Sequence, residues 1–385
     1  MTSPRLPGSL TAALFATLIV LMLAAGCTGT ESTGTQGDAQ TIALTDGFGR
    51  AVTAPASPES VVCSGSGCLR YLVYLQGQDL IIGVDDIEKR DSAVVGRPYN
   101  LVHGAKFKTL PLIGEFRGND DPEKVIALSP DVVFKTGSTG TSYGTSGPEA
   151  DKLQEKTGIP VVAFPYGSLR SDAEKADMYA GLRMMAEVIG KQDRAEEVIA
   201  YVEDTMADLE RRTSDIPEAE RKSVYVGGVS AAGAHGIMST EPSYPPFLWV
   251  HAKNVAAGLG VDHADVAKEA IVNWDPEYIF IDLGTLQIEG GGAVGELKND
   301  AALKGLTAAK EGRVYGVLPY NSYNINYETV FADAYFVGKT LYPDRFADID
   351  PAKKADEIYT FFVGEPVFGE LNSQYGNLGF AKIPL

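Results

Sequence analysis

Two runs of apolar residues at helical spacing dominate the hydrophobic pattern of the chain and occupy residues 171–212. Gly190 separates the two runs. Each run begins with a residue pair, three positions apart, that is typical of a capped helix start: Ser171 with Glu174, and Asp193 with Glu196. The pattern predicts a shorter helix that ends at Gly190 and a longer helix whose outer face is charged and solvated.

Similar phrases lie on either side of this helical stretch, at residues 123–134 and 269–280. In each phrase a glutamate, Glu123 or Glu269, stands seven residues before a proline, and an acidic residue and a short apolar run follow the proline. One shared pattern is a weak internal repeat. It is compatible with two related lobes and also with chance.

Elsewhere, short apolar runs alternate with helical patterns. After a hairpin at 41–52, strands are predicted at 61–63, 80–84, 112–114, 131–134 and 161–164, with helices at 69–75, 122–128 and 150–157. Strands are then predicted at 223–229, 278–282 and 314–318, with helices at 246–257, 293–297, 329–341 and 351–362. The alternation predicts an α/β fold with two lobes of mainly parallel strands. We expect an N-terminal lobe at 41–190, a single long connecting helix at 191–216 and a C-terminal lobe at 217–385.

The N-terminus has the pattern of a lipoprotein signal peptide at residues 1–26. Arg5 precedes an apolar run at 10–25, and small residues lead to Cys27. The alternative is a membrane-spanning anchor, but the run is shorter than the roughly 20 residues that a span needs. We therefore expect lipidation of Cys27, a flexible tether at 27–40, and a location on the extracytoplasmic face of the cell membrane.

Length, charge and cysteine content limit the classes of function. Removal of the first 26 residues from the chain of 385 would leave 359, which suits two domains better than one core. The formal net charge of -18 argues against nucleic acid or an anionic membrane surface as a partner. Cys63 and Cys68 could close a small disulfide loop in an exported protein, or pack as buried free thiols.

The loops after the predicted strands carry the candidate chemistry, because ligands of open α/β sheets bind at the carboxyl ends of the strands. These loops are rich in Gly, hydroxyl groups, Tyr and Asn but poor in general bases, which indicates binding rather than catalysis. Arginine suits the carboxylates of a chelate, and a phenol can stack on a ligand or bind ferric iron, although ordinary packing is the alternative for each Tyr. We expect ligand contacts from Ser66, Arg117, Tyr143, Tyr166, His235, Tyr320, Asn321, Tyr323 and Asn324.

Bare metal capture and catalysis receive little support from the sequence. The four histidines are His103, His235, His251 and His263, and they are too few for a metal site built from several loops. Residues 228–232 follow a predicted strand and partly match the Gly-x-Ser-x-Gly motif of hydrolases around Ser230, but Ala232 occupies the fifth position. We expect no enzyme activity, no cofactor and no protein-bound metal; a secreted hydrolase is the alternative from another class.

The chain resembles class III substrate-binding proteins of ABC importers. The features that carry the resemblance are the lipoprotein start, the hairpin, the 123–134 phrase, the long helix and the tail at 315–362. The iron-type group is the most similar. Its second lobe has a Pro-Tyr-Asn-like loop, here at 319–328, and then a helix that ends in Leu-Tyr-Pro-Asp-Arg-Phe, here at 341–346.

The resemblance implies a receptor that captures an iron(III) chelate, such as a siderophore, and delivers it to an ABC permease with a cytoplasmic ATPase. Haem or cobalamin is the alternative ligand within the family. The resemblance also implies a monomer with little hinge motion and one permease-docking glutamate on each lobe, which by motif position are Glu123 and Glu269. For each glutamate, a favourable interaction with the helix dipole, worth about 0.3 to 1 kcal/mol, is the alternative role.

Overall fold

Two sheets of mainly parallel strands, one in each half of the chain, form the framework of the computed structural model, which describes residues 40–137 and 147–385. The predicted signal peptide, Cys27 and Tyr143 lie outside the described residues. Among the helices of the described ranges, none combines the length and the apolar character that crossing a membrane requires.

The first lobe contains eight strands and five helices in the described ranges. The strands are β1 (Thr41–Thr45), β2 (Ala51–Pro55), β3 (Val61–Ser64), β4 (Ile81–Asp85), β5 (Leu112–Glu115), β6 (Asn119–Asp120), β7 (Val132–Gly137) and β8 (Val161–Pro165). The helices are α1 (Cys68–Tyr74), α2 (Pro98–Thr109), α3 (Pro122–Leu128), α4 (Gly147–Thr157) and α5 (Asp172–Ile189). β1 and β2 form the expected hairpin, and the remaining strands form one sheet in the order β6-β5-β4-β3-β7-β8.

Helix α6 (Gln192–Thr213) leads into the second lobe. Its strands are β9 (Ser223–Gly227), β10 (Ser239–Thr240), β11 (Lys253–Asn254), β12 (Ala264–Asp265), β13 (Tyr278–Asp282) and β14 (Val314–Val317). Its helices are α7 (Pro245–Trp249), α8 (Lys268–Trp274), α9 (Gly292–Asn299), α10 (Ala301–Lys304), α11 (Thr307–Lys310), α12 (Tyr327–Leu341), α13 (Pro351–Val363) and α14 (Phe368–Ser373). The main sheet is parallel, in the order β11-β9-β13-β14.

The strands of the first sheet are apolar on both faces, as parallel strands covered by helices on both sides must be. Alternate residues of β3 therefore enter different cores. Val61 and Cys63 join a large cluster that continues into the second lobe, whereas Val62 joins a smaller cluster with Ile113 and other residues. The predicted α/β architecture of two lobes with mainly parallel sheets is confirmed.

The two phrases with the shared sequence pattern occupy equivalent places in the two sheets. The first forms α3 and β7, and the second forms α8 and β13. Both helices end on a residue in the left-handed region, Ser129 (φ 48°) and Asp275 (φ 40°). Their similar caps fix the same direction of entry into the following strand.

A second shared contact follows the proline of each phrase. Asp131 Oδ2 accepts a hydrogen bond from the Ser60 backbone N–H at 2.9 Å, and the Ser60 hydroxyl accepts one from the Asp131 N–H at 3.2 Å. In the second lobe Glu277 Oε2 accepts from the Ser223 N–H at 2.9 Å, and the Ser223 hydroxyl accepts from the Glu277 N–H at 3.0 Å. Such matched reciprocal pairs show that the two lobes repeat one local structure.

The long helical stretch forms α5 and α6. Ser171 caps α5 by accepting a hydrogen bond from the Glu174 N–H at 3.3 Å, and Gly190 ends the helix with φ 68°, as predicted. α6 begins one residue before Asp193, and Glu196 binds Arg183 at 2.7 Å rather than closing a second capping box. α6 packs against α5 in the first lobe and against α7 and α12 in the second, so it links the two lobes directly.

Candidate functional site

A cleft with a volume of about 1000 Å³ lies at the carboxyl ends of the strands of both main sheets. Open α/β sheets bind ligands at this position because the loops that leave the strands converge there. The cleft is lined by loops that follow β3, β4, β5 and β8 in the first lobe and β9, β13 and β14 in the second. A smaller depression of about 320 Å³ beside Leu297 and Leu385 has no such convergence of loops.

Several of the ligand contacts predicted from the sequence line this cleft. They are Ser66, Arg117, Tyr166, Asn321, Tyr323 and Asn324. The Tyr166 hydroxyl is already engaged, because it accepts a hydrogen bond from Arg70 at 2.8 Å and donates one to the Ile325 carbonyl at 2.7 Å. Tyr166 can therefore offer a ligand its ring more readily than its hydroxyl.

Tyr320 and His235 are the two predicted contacts that the structure places away from the cleft surface. Tyr320 is buried, and its hydroxyl donates to Glu241. His235 donates from Nε2 to the Ala231 carbonyl of its own loop at 2.7 Å. Each residue follows a strand end as expected, but its side chain is used inside the second lobe. Neither residue is among those that line the cleft, and ligand contact by the other predicted residues stays a prediction.

Three arginines and one phenylalanine form what we call the basic end of the cleft: Arg90, Arg97, Phe116 and Arg117. The Arg90 guanidinium lies 4.2 Å from the centre of the Phe116 ring and the Arg117 guanidinium lies 4.8 Å from it, so both cations are within the distance of a cation–π contact with this ring. Arg97 is buried, and its Nε has no hydrogen-bond partner in the described residues. Because this Nε is enclosed by the protein, Arg97 meets the cleft through other parts of its side chain.

Arg90 and Arg97 line the cleft but were not among the contacts predicted from the sequence. The signal was available, because both lie in the loop that follows β4 and ligands of open α/β sheets bind at such strand ends. A strand was correctly predicted at this place, at 80–84, and the two arginines follow it.

Arg117 projects from the tip of the β5–β6 hairpin in a left-handed conformation, with φ 66°. A residue other than glycine in this region costs on the order of 1 to 3 kcal/mol and persists only where its surroundings hold it. Here Asp86 accepts from the Phe116 N–H at 2.7 Å, and the Tyr323 hydroxyl accepts from the Arg117 N–H at 3.0 Å. Buried Lys135 donates to the Gly118 carbonyl at 2.8 Å. The hairpin tip is thus fixed from three sides.

Residues 319–326, which we call the cleft loop, extend from the second lobe into the first. The Tyr323 hydroxyl donates to Asp85, Ser322 Oγ donates to the Val95 carbonyl at 3.2 Å, and Asn324 Nδ2 donates to the Ser66 carbonyl at 3.3 Å. Tyr323 and Asn324 have φ values of 53° and 72°. The loop therefore connects the two lobes in addition to lining the cleft.

Arg70, on α1, holds the cleft loop from the first lobe. Its side chain is fully buried. Nε donates to Asn326 Oδ1 at 3.0 Å, and Nη2 donates to the carbonyls of Ser322 at 2.9 Å and Tyr323 at 3.2 Å. Together with the bond to Tyr166, these contacts use the planar fork of donors that distinguishes arginine from lysine.

Carboxylates line the opposite end of the cleft, and we call Glu174, Asp177 and Asp262 the acidic end. Burial, and secondarily Glu174, raises the pKa of Asp177. Strands β4 and β8 stand three positions apart in the first sheet, so the loop after β4 and the start of α5 are separated by about 14 Å at about 4.8 Å per strand. Arg170 also lines the cleft near Glu174, so this end carries charges of both signs.

The sequence of the chain also matches a known protein family. A model of a family described as periplasmic binding protein matches residues 61–320. The chain belongs to this family of binding proteins.

Relatives of this binding protein include receptors for different ligands. The molybdate-binding protein MolA of Haemophilus influenzae is 25% identical over 338 residues, which cover 83% of this chain and 90% of MolA. The iron(3+)-hydroxamate-binding protein FhuD of Bacillus subtilis is 26% identical over 324 residues, which cover 81% of this chain and 91% of FhuD.

Solved structures show the same fold at lower identity. The structure of MolA bound to molybdate has a TM-score of 0.64 at 21% identity and covers 84% of this chain and 98% of that one. The periplasmic heme-binding protein HutB of Vibrio cholerae has a TM-score of 0.53 at 16% identity, covering 74% and 99%. The family match at residues 61–320 shows that the chain is a substrate-binding receptor of an ABC importer of class III and not an enzyme, as predicted.

Glu123 and Glu269 of this binding protein are exposed on α3 and α8 and do not line the cleft. Neither carboxylate forms a hydrogen bond or ion pair with any other residue in the ranges 40–137 and 147–385. They are therefore available to a partner.

The sequence left open whether Cys63 and Cys68 form a disulfide or are buried free thiols. Cys63 and Cys68 are buried free thiols in this structure, not a disulfide. Burial, and next a hydrogen bond with Cys68, raises the pKa of the Cys63 thiol. Within the described residues, no group of three or more His, Cys, Asp or Glu side chains is arranged to hold a metal ion.

Proposed function

We propose that this receptor captures an anionic iron(III) chelate of the siderophore type and delivers it to its ABC permease. The observation that carries the proposal is the basic end of a cleft of about 1000 Å³, where three arginines line one cleft. A volume of this size lies at the upper end of the range for ligand pockets, about 300 to 1,000 Å³, and suits a chelate better than a small ion.

The chemistry of the lining supports a chelate with several oxygen donors. Guanidinium groups form strong charge-assisted hydrogen bonds with the carboxylate or hydroxamate oxygens that surround the metal, and Arg97 and Arg117 would provide them. Arg90 would add only its remaining N–H groups, because its Nε and Nη2 already donate to Asp86. Phe116 and Tyr323, whose ring centres lie 6.4 Å apart, offer aromatic faces. Asn321, which also lines the cleft, would complete the contacts as a neutral hydrogen-bonding group.

A molybdate-type oxyanion is the second candidate ligand. It is favoured by the similarity to MolA in both sequence and fold. A tetrahedral oxyanion would need several donors within one small volume, and it would leave most of a cleft of about 1000 Å³ to water. We therefore rank it after the chelate.

Calorimetric titration of the purified protein distinguishes these ligands. The panel is a ferric hydroxamate, ferric citrate, haem, cobalamin, molybdate and tungstate, all at one salt concentration. We expect micromolar or tighter binding of a ferric chelate and none of molybdate. Binding of molybdate or tungstate alone would contradict the chelate assignment, and binding of haem or cobalamin alone would replace it within the same class of receptor.

Attachment to the membrane through a lipid on Cys27 is part of the same proposal. The motivation is the signal-type pattern of residues 1–26, which ends at this cysteine. Cys27→Ser should move the protein from the membrane fraction to the soluble fraction without changing ligand affinity. A mutant that stays in the membrane fraction after a salt wash would indicate that the apolar run spans the membrane.

Docking through Glu123 and Glu269 completes the proposal. The shared caps and serine–acid pairs described above support it, because they give the two glutamates the same local setting in the two lobes. An exposed carboxylate without an internal partner suits a cation on the permease.

A further inference from the structure

An exposed aliphatic side chain stands one helical turn after each of the two glutamates. Ile126 on α3 is 39% exposed and Val272 on α8 is 36% exposed. Residues three apart on a helix are neighbours on its surface, so each glutamate and its aliphatic residue share one face. The residue just before each aliphatic position, Val125 or Ile271, is fully buried, which shows that both helices rest on their sheets in the same orientation.

Single exposed apolar residues are normal on protein surfaces and need a reason only when they form a pattern. Within the described part of the first lobe, Ile126 is the only large apolar side chain that is exposed. In the second lobe, Val272 is one of several exposed large apolar side chains; the others are Met238, Leu248, Leu259, Val261 and Leu385. In the described part of the first lobe, the one exposed residue of this kind, Ile126, therefore stands at the position equivalent to Val272 and beside Glu123, the equivalent of Glu269.

We propose that the pairs Glu123–Ile126 and Glu269–Val272 are two equivalent docking points, at which the aliphatic side chain enters an apolar pocket of the permease beside a cationic group. This inference rests on the proposed function. An apolar contact next to an ion pair excludes water from it, which strengthens the attraction between the charges. A surface that is repeated on the two lobes fits a partner that presents one feature twice, such as two copies of one subunit or two homologous subunits about a two-fold axis.

The apolar part and the charged part of each docking point differ in how their contribution to affinity depends on salt concentration. An ion pair on a protein surface weakens as the salt concentration rises, whereas burial of an aliphatic side chain does not. At low salt both contribute, and at high salt the aliphatic residues should account for most of the remaining affinity.

The test uses the permease with its ATPase in lipid nanodiscs and the ligand-loaded full-length receptor. Ile126→Ala removes about three carbon atoms of apolar surface, so we expect roughly three- to tenfold weaker binding to the permease, and somewhat less for Val272→Ala. The double variant should show about the product of the two effects, with a fold-change that persists at high salt. Leu248→Ala is the matched control: Leu248 is 44% exposed but lies on α7, and its loss should leave docking unchanged.

The outcomes separate this inference from the proposed function. If Glu123→Ala/Glu269→Ala abolishes docking while Ile126→Ala/Val272→Ala binds the permease as the parent does, the inference is wrong and the receptor function stands. If the aliphatic variants weaken ligand binding as much as docking, their role is structural and the inference is again overturned. If neither pair of substitutions affects docking, the docking part of the proposed function also fails.

Discussion

Arg97 lines the cleft with a guanidinium that its neighbours in the described residues satisfy only in part. Its Nε is buried without a partner, while Nη2 donates to the Ile87 carbonyl at 3.1 Å and lies 3.8 Å from Glu88. The guanidinium is therefore held in place by Ile87 and Glu88 while the residue lines the cleft. A cation fixed in this way is favourable in a receptor, because it can form a charge-assisted hydrogen bond with an anionic ligand.

We expect Arg97→Ala to weaken binding of the ferric chelate about ten- to a hundredfold. A charge-assisted hydrogen bond contributes about 1.5 to 3 kcal/mol, and 1.4 kcal/mol corresponds to a factor of ten. Calorimetric titration measures the change. Arg183→Ala is the control, since Arg183 is paired with Glu196 on the outer face of α5 and α6. An affinity equal to that of the parent would remove Arg97 from the binding site.

Asp85 should make the stability of the protein depend on pH. Burial, and next the neighbouring Glu88, raises the pKa of Asp85 to about 8, partly opposed by the hydrogen bond from Tyr323. The usual pKa of an aspartate in an unfolded chain is about 3.9, so the folded state binds this proton more tightly. Stability from this group is present below pH 4 and is lost as the pH rises towards 8.

Asp85→Asn should therefore gain stability relative to the parent as the pH rises from 5 to 8, on the order of 1 kcal/mol per pH unit in this window. Urea denaturation at pH 5, 6, 7 and 8 measures the difference. Asp204→Asn, at an exposed position on α6, should show no such trend. A difference between Asp85→Asn and the parent that does not change with pH would contradict the assignment.

At the residue scale, the sequence predicted the role of a side chain only where the residues that determine it lie close by along the chain. Arg117 was identified because it follows a strand directly. Arg70 was not, since it lies in an apolar helical run and its partners in the cleft loop are more than 250 positions away. Tyr320 was placed in the right loop but on the wrong side of it, because the direction of a side chain in an irregular loop is set by tertiary contacts that no local pattern encodes.

At the scale of elements, the cleft loop depends on a single buried side chain of α1. Arg70 satisfies Asn326 and two backbone carbonyls of the loop. Loss of the guanidinium would leave these groups buried and unpaired, at about 1 to 3 kcal/mol for each. The loop also carries backbone angles in the left-handed region, which need external support.

Arg70→Met should therefore lower the free energy of unfolding by about 3 kcal/mol or more and weaken ligand binding as well, because the cleft loop would lose its anchor. Arg70→Lys should recover only part of the loss, since one ammonium cannot reach all of the acceptors. Urea denaturation and calorimetry give the two readouts. Arg211→Met on the exposed face of α6 is the control. Ligand affinity that survives in a destabilised Arg70→Met would show that the loop keeps its shape without Arg70.

Elements with strong local signals were predicted well, and the errors have physical causes. The helix predicted at 246–257 is only α7, because His251 adopts φ 51° and turns the chain into β11. α2 was not predicted. Most of its length is polar or half-buried, and it is held by a few buried contacts such as Tyr99 and Phe107 rather than by an apolar stripe.

At the scale of the whole molecule, the two lobes behave as one packed body. Arg170 in the first lobe binds Glu241 in the second at 2.5 Å, and Tyr74 of α1 donates to buried Glu328 of α12. α13 packs against both α1 and α2. The largest apolar cluster runs without interruption from β3 to the last helices. These contacts favour the small hinge motion that the family resemblance implies.

The same contacts lead us to expect that the protein unfolds in one cooperative transition, although proteins of two lobes often do not. Trp249 and Trp274 are the only tryptophans and both lie in the second lobe, so their fluorescence reports on that lobe while far-ultraviolet circular dichroism reports on the whole chain. The two signals should give the same urea midpoint in the parent. Arg170→Met, which removes one ion pair between the lobes, should shift both midpoints together. Separate midpoints in the parent would show that the lobes unfold independently and that the buried contacts between them are too weak to couple them.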